Sequence, residues 1–183
     1  MSKKKIVLPL FIVALMVFSI FGVVIGSFSN DQIETFKFNG YRFTYDGTIW
    51  FTHINNQRLE FTTDPRQLEG FYIGDIINKI SNHNKVYLSV NPEDNIEQEK
   101  NIFIAILSGL FNKPIIRACP SDNQLCENLP LKDCSDSIPE KELVIKLEKG
   151  DNLIQEDVSC IAILGDRNYF VTVLEKIRLE VLL

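Results

Sequence analysis

KVYLSVNPEDNIEQEKNIFIAILSGLFNKPIIRAC, Lys85 to Cys119, holds the pattern from which the architecture is read. Lys85 to Val90 is a strand by its Val, Leu and Tyr content, and Asn91-Pro92 breaks it. From Asn95 the spacing turns helical. Ile96, Phe103, Ile106, Leu107, Leu110 and Phe111 fall on one broad apolar side, Asn95 and Gln98 are spaced as a capping box, and Asn112-Lys113-Pro114 ends the run. Ile115 to Cys119 is a second strand. Strand, helix and strand in this order make a βαβ unit with a right-handed crossover, which predicts two parallel strands as neighbours or near neighbours.

Upstream, the period changes to two. Phe36 and Phe38 flank Lys37, Asn39-Gly40 turns the chain, Tyr41, Phe43 and Tyr45 alternate with Arg42 and Thr44, and Asp46-Gly47 turns it again. Both dipeptides tolerate the positive φ of tight hairpin turns. Ile49 to Ile54 and Arg58 to Thr62 continue the alternation through Asn55-Asn56-Gln57, giving an antiparallel meander with an aromatic face. Asp64-Pro65 reads as an N-cap followed by proline at the first helical position, and a second short helix is expected around Asp75 to Ser81.

Downstream, Pro120 to Glu140 has no regular period and contains Cys126 and Cys134 just after Cys119, so it is read as a crosslinked loop. Glu142 to Leu147 reads as a strand, Gly150-Asp151-Asn152 as a turn, and Val158 to Leu164 as the next strand, hairpin-paired with the one before and central by its apolar content. Phe170, Val173, Leu174, Ile177 and Val181 recur at helical spacing in a last helix that opens at Gly165-Asp166.

At the N-terminus, Ile6 to Phe28 is apolar apart from small residues and carries no charge, and the next charged residue is Asp31. A run of this length covers a hydrocarbon core of about 30 Å. Lys3, Lys4 and Lys5 precede it, so the positive-inside rule keeps residues 1–5 cytoplasmic and sends the remainder across. The expected division is a basic tail at 1–5, a transmembrane signal-anchor helix at 6–28, a linker at 29–35 and an extracytosolic α+β domain at 36–183. A cleaved signal, with Val24 and Gly26 before the cut, is the rival reading.

Beyond Lys5 the chain has 16 Lys and Arg against 24 Asp and Glu. No cluster of basic residues occurs in that sequence, which argues against nucleic acid as a partner. The four cysteines, Cys119, Cys126, Cys134 and Cys160, are even in number and lie beyond the span, as disulfides on the oxidising side of a membrane would. Zinc would call for closer pairs such as C-x-x-C. Cys119 ends a strand and Cys126 follows a short loop, so these two are paired, which leaves Cys134 with Cys160.

Chemistry-bearing motifs are sparse, and no cofactor is expected. His53 and His83 sit in no metal-ligand pattern, Ser108 lacks a nucleophile elbow, and no phosphate-binding glycine loop is present. Asp122, Glu127, Asp133 and Asp136 miss the spacing of a calcium loop. Glu93 and Asp94 follow the strand Lys85 to Val90, at the end where open α/β sheets place ligands, and with Glu97 and Glu99 they are the candidate acid-base or cation-binding group. Their simpler role is to stabilise the dipole of the helix that follows. Trp50 and the neighbouring Tyr41, Phe43, Tyr45 and Phe51 serve as core unless Trp50 or Tyr45 points outward to a sugar or a partner protein.

The basic start and long span, F-x-F-N-G-Y-x-F-T-Y-x-G-x-x-W from Phe36, V-Y-L-S-V-N-P-E-D from Val86, and the cysteine-bearing tail C-P, L-P-L-K-D-C and V-S-C resemble uncharacterised single-pass secreted proteins of small archaeal genomes. That resemblance implies no activity. The expected role is a surface or envelope binding or structural module, partnered by the membrane through residues 6–28 and by a surface or envelope protein. The alternative is an extracellular hydrolase working through Glu93 and Asp94. Peptide mapping without reduction tests the crosslinks: Cys119 linked to Cys126 and Cys134 linked to Cys160 are expected, and a peptide joining Cys119 to Cys160 contradicts both pairs.

Overall fold

The computed structural model describes residues 33–183 together with Leu15 and Met16. The span expected at 6–28 otherwise lies outside the described residues, among which no helix is long and apolar enough to cross a membrane. The elements in chain order are β1 (Glu34–Phe38), β2 (Tyr41–Tyr45), β3 (Trp50–Ile54), β4 (Gln57–Phe61), α1 (Pro65–Glu69), α2 (Ile76–Asn82), β5 (Lys85–Val90), α3 (Glu97–Phe111), β6 (Ile115–Ala118), β7 (Glu142–Glu148), β8 (Leu153–Asp157), β9 (Cys160–Leu164) and α4 (Arg167–Leu182). Two sheets result, an antiparallel meander in the order β1-β2-β3-β4 and a mixed sheet in the order β6-β5-β7-β9-β8.

The meander follows from its turns. Asn39 and Gly40 both take positive φ, as do Asn55 and Asn56, so each pair closes a two-residue hairpin whose twist matches the strands. Gln57, expected in the second turn, instead opens β4. At the Gly47 turn the Asp46 Oδ1 accepts from the backbone N–H groups of Thr48 and Ile49, both at 3.1 Å. Those two bonds, with the Arg58 guanidinium beside them, hold the Asp46 carboxyl below its ordinary range. Alternation then places Phe43, Trp50 and Phe61 on one face, where they pack with Leu68 of α1 and Leu179 of α4.

In the second sheet, β5 pairs in parallel with β6 and with β7, so the βαβ unit forms as its sequence pattern requires. Val86, Leu88, Leu143, Ile145, Ile161 and Ile163 on one face pack against Ile76 and Ile80 of α2, Phe103 and Leu107 of α3, and Phe170 and Leu174 of α4. The other face is different. Tyr87, Ala118, Val144 and Cys160 there are covered by the Pro120–Glu140 loop, which the disulfides Cys119–Cys126 and Cys134–Cys160 tie down. Backbone bonds reinforce the cover, with Cys119 N donating to Pro130 O and Lys132 N to Cys119 O, and Ser89 Oγ donates to Lys132 O at 2.6 Å.

Three expectations are corrected. The segment Leu153–Asp157 is a strand in its own right, and the region has three strands where the sequence reading had two. β7 and β9 do not form a hairpin: they run parallel, and β9 slots between β7 and the edge strand β8, which is antiparallel to it. The apolar CIAIL of β9 gains from burial on both faces, whereas LIQED of β8 carries the charges that an edge tolerates. The capping box is also absent. Asn95 adopts the left-handed conformation that closes a 3-10 turn at Pro92–Asp94, and α3 begins after Ile96 without a side-chain cap.

The two cores meet along α4, whose first turns pack on the mixed sheet and whose last turn packs on the meander. Glu175 lies at the junction, 5 % exposed, and its carboxylate accepts from Thr62 Oγ1 at 2.8 Å and from the backbone N–H groups of Thr62 and Thr63. Lys176 donates to Glu69 O at the end of α1, and Arg178 donates to Glu60 O while burial lowers its own pKa. Glu175→Ala leaves the backbone N–H groups of Thr62, which is exposed, and of half-buried Thr63 without their carboxylate partner, so a loss of about 1–2 kcal/mol is expected in chemical denaturation. A loss below about 0.5 kcal/mol would show that the junction does not depend on this carboxylate.

Candidate functional site

Strand order places the crevice. The chain leaves β5 for β6 on one side through α3, and later strands add on the other side, so the order reverses between β5 and β7. Ligand sites in open α/β sheets form at the carboxyl ends of the strands flanking such a reversal. A cleft of about 500 Å3 opens at this edge, lined by Asn95, Ile96, Gln98 and Glu99 from the start of α3, Lys149 and Gly150 after β7, and Gly165, Asp166 and Arg167 after β9.

Local sequence explains the walls. Gly165 lies against the Tyr169 ring so closely that a Cβ there would fall 2.5 Å from a ring carbon, which makes glycine a requirement of this turn. Asp166 caps α4 by accepting from Tyr169 N at 2.8 Å, and its own N–H donates to Asn152 Oδ1. Burial raises the Tyr169 pKa. Glu99 is buried and pairs with the exposed Arg167 at 3.2 Å, while Glu97 pairs with Lys100. The cleft therefore presents balanced charge, with its buried acid already neutralised.

Glu93 and Asp94 lie just outside it. Both sit in the 3-10 turn after β5, and neither lines the cleft, whose α3 wall starts at Asn95. The Glu93 Oε1 accepts from Asn123 Nδ2 at 3.1 Å, which links this turn to the disulfide loop. Asp94 is half-buried, and its Oδ2 has no hydrogen-bond partner. Of the four acids read from the sequence, only Glu99 reaches the cleft. Lys149, Asp166 and Arg167 were missed because no local motif marks them, and only the parallel placement of β5, β7 and β9 brings their loops together.

The remaining candidates take structural places. His83 is buried with Nδ1 2.7 Å from Lys79 O, and Lys113 Nζ donates to the carbonyls of Ile80, Ser81 and His83 at the end of α2. Ser108 Oγ accepts from Ile115 N at 3.3 Å. Trp50 is buried, and Tyr45 packs beside it on the same face with its hydroxyl donating to Gly47 O. Asp133 pairs with Lys146, and Asp136 accepts from Asp133 N. The Lys132 ammonium bonds Glu142 at 2.6 Å, which raises the lysine pKa. Among the described residues no group of three His, Cys, Asp or Glu side chains is placed to hold a metal ion.

No family model, curated protein or solved structure matches the chain.

Glu93→Gln and Asp94→Asn are each expected to lower stability by about 1 kcal/mol or less, since their work is limited to a turn and to the field of α3. Any activity of the purified protein that is lost in these variants while folding is kept would contradict that assignment.

Proposed function

We propose that the chain is a membrane-anchored extracytosolic domain that works as a binding or structural module of the cell surface or envelope. The observation that carries this reading is the engagement of the candidate acids: Glu99 with Arg167, Glu97 with Lys100 and Glu93 with Asn123. General acid-base hydrolysis needs two carboxyls facing one substrate with their pKa values pushed apart. Here the acids point to separate structural partners. Two disulfides support an oxidising compartment, and the lysines before the apolar run support the orientation.

The disulfide loop supplies the apolar surface that such a module would use. Leu125, Leu131 and Ile138 are exposed on it, and Val158 is exposed at the β8–β9 turn, tied to the loop through the 2.7 Å contact between Ser137 Oγ and Ser159 Oγ. These side chains are the candidate contact points of such a module, since large exposed apolar patches mark interaction sites. One observation favours the hydrolase reading, the buried Asp94 Oδ2 without a donor at the end of β5, and the Asp94→Asn variant above addresses it.

Orientation is the first test. Protease added to intact cells is expected to digest the chain beyond Asp31, with all four cysteines unreactive to thiol reagents before reduction. Protection of the domain until the membrane is opened, or free thiols at the four positions, would reject an extracytosolic role.

A further inference from the structure

A row of basic side chains crosses the solvent face of the meander. Lys37 of β1 stands opposite Arg42 of β2, and His53 of β3 stands opposite Arg58 of β4. The β2–β3 register pairs Thr44 with Phe51 and Tyr45 with Trp50, and beyond it the hydroxyl of Thr52, the neighbour of His53, donates to Arg42 O at 2.9 Å. All four are exposed. Neighbouring strands lie about 4.8 Å apart, so the row is roughly 15 Å long. The sequence hides it, because these residues stand apart in the chain and only the strand register aligns them.

The arrangement is costly for the meander alone. Like charges directly opposite each other destabilise an antiparallel pair, and among the described residues neither Lys37 nor Arg42 has an ion-pair partner. Arg58 is steadied by Asp46 at 3.2 Å, by Glu60 at 2.9 Å and by the Phe51 ring beneath it. Lys37 and Arg42 thus stand uncompensated on a chain that beyond Lys5 carries 24 acidic and 16 basic residues.

We propose that this face docks on the anionic headgroup surface of the bilayer that holds residues 6–28, an inference that rests on the anchor reading above. Two constraints select that occupant. Only residues 29–33 separate the end of the apolar run from β1, and five residues reach at most about 18 Å, so the meander stays next to the bilayer. An anionic surface attracts Lys37 and Arg42, the two cations of the row that no carboxylate offsets, and repels the acidic remainder, which orients the domain with this face down. The contact is electrostatic and weakens as salt rises.

The test uses the full chain in lipid nanodiscs, either of phosphatidylcholine alone or with phosphatidylglycerol added. Acetylation rates at individual lysines are read by mass spectrometry, with the exposed Lys149 as internal reference. Each basic residue beside an anionic surface contributes roughly a fivefold factor, so Lys37 is expected to react at least about fivefold more slowly in the anionic discs. High salt should restore its rate, and Arg42→Gln should weaken the protection. Equal Lys37 rates in the two kinds of disc would overturn the docking, as would protection by a soluble sulfated polysaccharide but not by anionic lipid. A chain that fails to stay in neutral discs would reject the anchor separately, because the rate difference between anionic and neutral vesicles still reads the docking.

Discussion

The carboxylate of Glu175 is the point on which the two halves of the domain depend. A meander of four strands has one apolar face and cannot stand alone, and here that face is closed by α1 and by the last turn of a helix whose first turns belong to the other core. Three hydrogen bonds from Thr62 and Thr63 to one buried carboxylate fix both the sheet's distance and its rotation. Because Arg178 reaches Glu60 from the same side of α4, the charge buried in Glu175 has a cation in its field.

The mixed sheet solves a different problem. Parallel strands are buried on both faces, and a chain of this size supplies helices for only one. The second face is sealed by a loop whose only regular pieces are two single 3-10 turns, Gln124–Cys126 and Cys134–Asp136, and which would ordinarily lose the competition with its own chain entropy. Crosslinks change that balance. Cys134 is bonded to Cys160 at the start of β9, the register neighbour of Val144, and the closure of a longer loop confines the unfolded chain more than the short Cys119–Cys126 ring does. The Lys132–Glu142 ion pair and the Lys132 ammonium over the Tyr87 ring then complete a polar seam beneath the loop.

Electrostatics distinguishes the two surfaces that remain open. The cleft at the carboxyl ends of β5, β7 and β9 has a neutralised interior, where Arg167 and Glu99 cancel. The solvent face of the meander carries basic side chains in register with few partners. The two surfaces thus differ in charge although each is built from residues remote in sequence.

Local signals made much of this protein legible in its sequence. Asn39-Gly40 and Asp46-Gly47 set the hairpins, Pro65 after Asp64 opened α1, and the switch from period two to helical spacing after Val90 marked the βαβ unit, because each of these depends on backbone preferences within a few residues. The disulfide pairs were also readable, since the short Cys119–Cys126 spacing left one partner for each remaining cysteine. Tertiary structure alone decided the rest. β9 moved inside β8 because burial on both faces outweighs the tendency of adjacent strands to form a hairpin, and Asn95 left the helix cap because the 3-10 turn required a left-handed residue there. The cleft and the basic row were invisible for one physical reason: their members are remote in sequence and become neighbours only through strand order and register, which no local spacing encodes.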